Sequence, residues 1–330
     1  MKMTLEAFVR STADGMHDCG QYSAAKTCLS VLRGLLGVAG KGSLAFAELT
    51  PALLRAYEHH LLAHERSRNT VSLYMRTLQN LCNRARRAGV ALFADDLFTG
   101  VFTGSDPVRH RAVAPEVIRK IADVLLCDKD ARLAFARDMF MLSFYLRGIP
   151  FVDLAHLRKC DMRGDVITYR RRKTGQLASL AVEPCALEII NRYAALTSGI
   201  SYLLPIIRRR GSADDEQRQY ESALRLYNKH LGCLSEKLGL EVRLTSYVAR
   251  HSWATVAHDI GVDVADISAA LCHSSEKMTR NYLESFTPDR LAGVNRCVLQ
   301  VVLGGDGSNI EEKGRERYKI PWEKFYSGSL

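Results

Sequence analysis

Polar side chains interrupt otherwise apolar segments at four places in the second half of the chain. These segments are MFMLSFYLRG, RRRKTGQ, TSYVARHSWAT and LCHSSEKMTRNYLESF. In chain order, the polar residues of interest are Arg147, Lys173, Arg250, His251, His273 and Tyr282. Taken singly, each also fits an ordinary structural role, such as a helix-capping pair, a core histidine, a packing tyrosine or a solvated turn lysine. The hypothesis of a site therefore rests on the ordered set.

As a set, these residue types suit phosphoryl transfer. Arginine and histidine donors around one point form a cage for phosphoryl oxygens. A tyrosine hydroxyl beside that cage is a nucleophile that can form a phosphotyrosine. A lysine on a turn can protonate a leaving oxygen. Because the cations are built in and the sequence shows no carboxylate cluster of the two-metal kind, we expect neither a metal nor a cofactor.

The first hundred residues contain a basic segment without acidic residues. Arginine donates paired hydrogen bonds that match phosphate, and short polar side chains nearby add donors for a nucleic-acid backbone. The arginines are Arg66, Arg68, Arg76, Arg84, Arg86 and Arg87, and the short donors are Asn69, Thr70, Ser72 and Asn80. The segment predicts a DNA-binding helix. The alternative is the solvated helix face of a basic protein.

Length and charge limit the class of protein. The 330 residues, 47% of them hydrophobic, are enough for two packed domains. The net charge of +10 fits either a protein with a polyanionic partner or a merely basic enzyme, and charge alone does not decide between them. No apolar run approaches the ~20 residues that a bilayer requires, and no secretory signal is visible. The nine cysteines are odd in number and widely spaced, which predicts buried thiols in a reducing cytosol.

Periodicity predicts a mainly α fold with a small β-sheet. Helices are expected over 22–38, from the Thr50-Pro51 capping signal onward, and over 69–89, 115–127 and 131–146. Strands are expected at 165–169 and 178–182, joined by a turn over 170–176, with helices resuming to about 302. Residues 95–113 read as a linker. Two helical regions joined by a basic linker suggest a two-domain DNA clamp.

The segment from Leu244 to Phe286 resembles the tyrosine recombinase, or phage integrase, family. ARHSWAT is similar to the family's L-R-H-[ST]-x-A-T helix, and LCHSS is similar to its L-G-H-S-S turn. TRNY resembles the T-x-x-Y nucleophile motif, and the intervals of 32 residues from Arg250 to Tyr282 and nine from His273 to Tyr282 suit it. RRKTGQ resembles the family's lysine hairpin, and the Arg-rich segment resembles the last helices of its N-terminal core-binding domain.

The resemblance implies a role for each residue. Tyr282 would attack the scissile phosphate and hold a 3′-phosphotyrosyl bond, Arg147 and Arg250 would stabilise the transition state, Lys173 would be the general acid, and His273 would hydrogen-bond the phosphate. The implied domains are a helical SAM-like DNA-binding domain over 1–104, a catalytic domain over 105–303 and a tail over 304–330. The tail either docks onto a neighbouring protomer or folds on its own domain.

Two positions depart from the family pattern. The histidine that usually precedes the second arginine by three residues is Tyr247 here. A phenol is a poor base near neutral pH, so an acid/base role would pass to His251. The first arginine of the usual motif would align with Pro150, and its acid with Asp153. Arg147 is the nearest candidate, as in a variant associated with Bacteroides-like integrases and invertases, and Arg158 is the fallback.

The resemblance implies a site-specific recombinase that performs integration, excision or inversion. We expect it to act on double-stranded DNA as a homo-tetramer. We expect it in the cytoplasm, at a bacterial nucleoid, with no membrane partner. Accessory DNA-bending proteins are left open as further partners. One alternative is a DNA-binding regulator with a decayed active site, supported by the two departures. A second is a type IB topoisomerase, which shares the chemistry.

Overall fold

A computed structural model describes residues 3–93, 96–106 and 112–272. The chain divides into two compact units, residues 1–108 and 109–330, and each has a hydrophobic core of its own. Two of the predicted site residues, His273 and Tyr282, lie outside the described residues, as does the predicted tail over 304–330.

The first unit is helical. Its helices begin where the sequence offers caps: the Thr50 hydroxyl accepts a hydrogen bond from the Leu53 amide, and the Ser67 hydroxyl accepts one from the Thr70 amide. One apolar stripe on each helix supplies the core. The helices are α1 (Leu5–Asp18), α2 (Tyr22–Ala39), α3 (Pro51–Ala63) and α4 (Arg68–Arg87), with a short 3₁₀ turn at Phe46–Glu48.

Residues 96–106 pack against this first unit. Leu97 is buried, and Phe98 and Val101 contact the same core. The predicted linker over 95–113 was therefore wrong for this part of the segment, because its apolar side chains find a core to cover.

The second unit surrounds a three-stranded antiparallel sheet with helices. The strands are β1 (Met162–Arg163), β2 (Val166–Arg170) and β3 (Leu177–Ala181), paired in that order, and Ile167 lies opposite Leu180. The helices are α5 (Pro115–Ala122), α6 (Ala131–Tyr145), α7 (Phe151–His156), α8 (Pro184–Arg192), α9 (Ala213–Lys237), α10 (Val248–Asp259) and α11 (Val264–Ala270). The prediction of a mainly α fold with a small sheet is confirmed.

One helix prediction in this unit was too long. The helix predicted over 115–127 ends at Ala122, because the Val124 carbonyl accepts a hydrogen bond from Arg137 instead of continuing the helical ladder. Helices resume after the hairpin as predicted. An irregular segment over 198–212 separates α8 from α9, and it contains Pro205 and the buried residues Tyr202 and Ile207. Proline removes a helical hydrogen bond, so a helix cannot continue there at low cost.

The cysteines follow the prediction only in part. All eight that are described are free thiols, and Cys28 and Cys82 are buried. Burial raises the pKa of Cys82 to about 12, which keeps that thiol protonated. The prediction was wrong for the exposed ones, which lie at helix ends or in turns where the side chain projects outward: Cys19, Cys127, Cys160 and Cys185.

No helix in the described part of the chain combines the length and the apolar character that a bilayer crossing requires.

Candidate active site

Arg147 lies in a strained turn at the end of α6. Arg147 and Gly148 both adopt left-handed backbone conformations, with φ of 57° and 70°. The turn closes through a hydrogen bond of 2.8 Å from the Gly148 amide to the Ser143 carbonyl. A left-handed conformation costs a residue with a Cβ roughly 1 kcal/mol, and such strain is concentrated at functional sites. The partly exposed Arg147 guanidinium donates to the Ser179 carbonyl on β3 at 2.6 Å.

Arg250 is packed directly against this turn. It is the third residue of α10, only 4% exposed, and it donates to the Gly148 carbonyl at 2.8 Å. A Cβ on Gly148 would lie 2.8 Å from the Arg250 Cα, so only glycine permits this approach. The structure thereby places the second predicted arginine beside the residue that follows the first.

Arg171 is a third buried arginine, and the sequence analysis did not single it out. Its Nε lies 3.2 Å from the Asp153 Oδ2, and both side chains are buried. The second oxygen of Asp153 accepts from the Arg172 amide at 2.9 Å. Asp153 thus fixes the start of the hairpin turn. A signal was present in the sequence: the strand pattern points every second residue inward, which selects Arg171 from the three consecutive arginines.

The two buried arginines meet at the C-terminal end of α11. The Leu271 carbonyl accepts from Arg250 at 2.6 Å and from Arg171 at 3.0 Å, and the Cys272 carbonyl accepts from Arg171 at 2.8 Å. His273 is the next residue in the sequence. Both guanidinium groups therefore converge on a carbonyl two residues before His273.

The remaining predicted residues occupy the rim or other places. Lys173 is exposed in the turn between β2 and β3, which closes with a hydrogen bond from the Gly175 amide to the Arg171 carbonyl. Tyr247 is 56% exposed at the start of α10, and its ring centroid lies 6.3 Å from that of the half-buried His251. The fallback residue Arg158 is exposed and pairs through its backbone with Tyr202.

Two phenols near Asp153 and Tyr247 have altered titration. Burial, followed by the charge of Asp153, raises the pKa of Tyr169 far above its usual value. Burial, followed by proximity to Tyr247, raises the pKa of Tyr220 to about 12. Both hydroxyls therefore stay neutral near neutral pH, and neither is suited to act as a base.

The described residues contain no group of three or more histidine, cysteine, aspartate or glutamate side chains close enough to hold a metal ion.

Comparison with known proteins shows what the sequence of this chain is similar to. Residues 4–93 match the phage integrase SAM-like domain. The chain is 24% identical over 201 residues to the tyrosine recombinase XerA of Pyrococcus furiosus, a match that covers 59% of this chain and 65% of that relative's length. In sequence, the chain is therefore similar to tyrosine recombinases. The resemblance stated from the sequence motifs is thus confirmed.

Solved structures of integrases share the fold of this chain. The Tn1549 transposon integrase in complex with transposon right end DNA matches with a TM-score of 0.60 and 15% identity, over 91% of this chain and all of that one. A lambda integrase dimer bound to a core site matches with a TM-score of 0.58 and 14% identity, over 85% of this chain and 77% of that one. The likeness concerns the fold alone.

The helix α4 lies within the matched SAM-like domain and carries most of the predicted DNA-binding residues. Arg76, Asn80, Asn83 and Arg87 are exposed at intervals of four, three and four residues, which places them on one face. Arg84 is exposed beside that face.

Three arginines of the predicted DNA-binding set have different surroundings from those on this face. Arg68 lies 4.2 Å over the Phe102 ring and forms an ion pair of 3.4 Å with Asp106. Arg86 donates to the Phe93 carbonyl, and Arg66 is exposed just before the helix.

Proposed function

We propose that this chain cuts and rejoins DNA at specific sites through a 3′-phosphotyrosine on Tyr282, in integration, excision or inversion. The observation that supports the proposal best is the convergence of Arg250 with the Arg147–Gly148 turn and with the Leu271 carbonyl, two residues before His273. Guanidinium groups held by carbonyl oxygens keep the positive charge that a phosphate cage requires.

In the proposed reaction, the Tyr282 hydroxyl oxygen forms a bond to the scissile phosphorus while the bond from phosphorus to the 5′-oxygen breaks. The phenolic proton passes to water or His251, and Lys173 supplies a proton to the leaving 5′-oxygen. Arg147, Arg250 and His273 stabilise the charge on the non-bridging oxygens. A 5′-hydroxyl of a second strand reverses the step, so the phosphodiester energy is kept and no ATP is consumed.

Arg147 is suited to this role by the bonds that it makes. Its guanidinium carries five N–H donors, and one of them is directed to the Ser179 carbonyl. Asp153, the carboxylate near the hairpin, is instead occupied by Arg171 and by the Arg172 amide. We therefore assign Asp153 a supporting role in the site and Arg147 the role of a donor to the phosphate.

The proposed substrate is double-stranded DNA, and the proposed assembly is a homo-tetramer in the cytoplasm at the nucleoid. Lambda integrase has been solved as a dimer on a core site and as a tetramer bound to a Holliday junction. By analogy, the first unit would grip DNA, the second would carry the chemistry, and residues 304–330 would dock onto a neighbouring protomer. An accessory DNA-bending protein would be a further partner.

The direct test is covalent capture on a nicked suicide duplex that carries the DNA flanking the chain's own gene. We expect a DNA adduct that survives denaturing electrophoresis, and its complete loss in Tyr282→Phe, because phenylalanine has no nucleophilic oxygen. Tyr22→Phe is the matched control, since its ring packs 4.9 Å from His17 in the first unit and a phenylalanine ring keeps that contact.

Two other outcomes would favour the alternative functions. Retention of the duplex without any adduct would favour the regulator with a decayed active site. Relaxation of an arbitrary supercoiled plasmid would favour the type IB topoisomerase.

If α4 binds DNA, the affinity of the chain for a duplex should depend on the salt concentration through its arginines. Replacing Arg76, Arg84 and Arg87 with glutamine should weaken duplex binding and reduce the slope of log K against log salt by up to about 2.7, since each phosphate contact contributes about 0.9. The measurement is a fluorescence anisotropy titration at several salt concentrations.

The control for this prediction removes the same charge from arginines that already pair with acids on the protein surface, namely Arg10, Arg119 and Arg218. An equal change of slope in the two triple variants would contradict a DNA face on α4.

A further inference from the structure

The segment 96–106 is fixed to α4 by a paired hydrogen bond. The Asn69 side-chain amide donates to the Asp106 carbonyl at 3.0 Å, and its oxygen accepts from the Asp106 amide at 2.8 Å. Both backbone groups of Asp106 are therefore satisfied by one side chain. Such a pair holds a single residue of the chain in place at the start of α4.

Further contacts fix the residues that precede Asp106. The Ser72 hydroxyl donates to the Gly104 carbonyl, and the Phe102 amide donates to the Glu58 carboxylate at 2.9 Å. The Arg68 guanidinium covers the Phe102 ring and pairs with the Asp106 carboxylate. The attachment thus combines backbone, charge and ring contacts along five residues.

The chain is fixed again at Val113, this time to the second unit. Val113 is 8% exposed, and its amide donates to the Ser252 hydroxyl at 2.9 Å. Ser252 is fully buried on α10, two residues after Arg250. The second attachment point therefore lies on the helix that carries a proposed catalytic arginine.

We propose that Asn69 and Ser252 are positioning residues that shorten the tether between the two units to residues 107–112. The tether then runs from α4, the proposed DNA-binding helix, to α10, and an extended chain between Asp106 and Val113 reaches at most about 25 Å. This inference rests on the proposed function, because a short tether matters when both units bind one duplex.

The physical consequence is a high effective concentration. Once one unit has bound the duplex, the tether confines the other near its own site, and this concentration falls roughly as the −3/2 power of tether length. If residues 96–106 were unattached, they would extend the tether by eleven residues. Attachment of these residues therefore strengthens binding without any new contact to DNA.

The test compares one insertion at two places in the full-length chain. About twelve glycine and serine residues inserted between Val108 and Arg109 triple the tether, so we expect duplex affinity to fall about 5-fold. The same insertion between Ala94 and Asp95 lies before the attached segment, and we expect it to leave affinity unchanged. Affinity is measured on a mixed-sequence duplex at low salt, where binding does not require a known site.

A second background shows that the attachments are the cause. The variant Asn69→Ala/Ser72→Ala removes three of the hydrogen bonds that attach the segment. In this background, the insertion between Ala94 and Asp95 should lower affinity relative to the same background without it, because the segment is held less firmly. Hydrogen exchange at the Phe102 and Asp106 amides should become faster in that background. Asn191→Ala, an exposed asparagine on α8, should change neither property.

Three outcomes overturn the inference. Equal losses of affinity from both insertions, with normal duplex binding by the unmodified chain, overturn the short tether and leave the proposed function intact. Unchanged hydrogen exchange in Asn69→Ala/Ser72→Ala overturns the role of Asn69. Failure of the unmodified chain to bind any duplex overturns the proposed function together with the inference.

Discussion

Replacing Arg250 with alanine should lower the rate of strand cleavage by about 10²–10³-fold, because the variant loses a donor that acts on the developing charge of the phosphate. Duplex affinity should change little, since one buried guanidinium adds little to the many phosphate contacts of a duplex. Cleavage would be followed in single turnovers on the suicide duplex, and affinity by anisotropy on an intact one.

Folding must be separated from chemistry in this variant, because Arg250 also donates to the Gly148 and Leu271 carbonyls. Arg250→Lys keeps the charge but loses the planar fork, so it should preserve more of the thermal stability than alanine and still cleave slowly. Arg163→Ala, at an exposed position of β1, is the control for loss of one arginine. A loss of duplex affinity as large as the loss of cleavage in Arg250→Ala would refute the proposed role of Arg250 in a phosphate cage.

Replacing Asp153 with alanine should destabilise the second unit by about 3–5 kcal/mol, because Arg171 would remain as a buried charge without its carboxylate. The free energy of unfolding would be measured by chemical denaturation. Asp165→Ala is the matched control, since Asp165 is exposed beside the same sheet.

The double variant Asp153→Leu/Arg171→Met separates stability from positioning. Removing both charges should restore much of the stability, since apolar residues often replace a buried pair at little cost. Cleavage should stay low, because the Leu271 and Cys272 carbonyls would lose the donor that fixes the residues before His273. Normal cleavage in the double variant would show that Arg171 has no positioning role.

The hairpin was largely predictable because its signal is local. Strands predicted at 165–169 and 178–182 are observed at Val166–Arg170 and Leu177–Ala181, since alternation of apolar residues and a glycine in the turn are readable from neighbouring positions. The strand β1 was not predicted, because two residues are too few to show any period. It exists through pairing of Arg163 with Val166.

The attachment of residues 96–106 was not predictable in the same way. A segment with two glycines, followed by Pro107, is typical of a linker. Its position depends on hydrogen bonds between Asn69 and Asp106, which are 37 residues apart. No local pattern encodes such a contact, so the sequence predicted a linker for this segment.

The amino-acid sequence by itself determined the helix and strand types, the basic character of α4 and the ordered set of arginine, lysine, histidine and tyrosine residues, because these follow from side-chain type and short-range periodicity. The tertiary structure alone decided that Arg250 packs on Gly148, that Asp153 pairs with Arg171 and that both arginines meet at Leu271. These contacts join residues up to 102 positions apart. They form only when the helices and the sheet pack closely, so that Arg250 can approach Gly148 and both arginines can reach the Leu271 carbonyl.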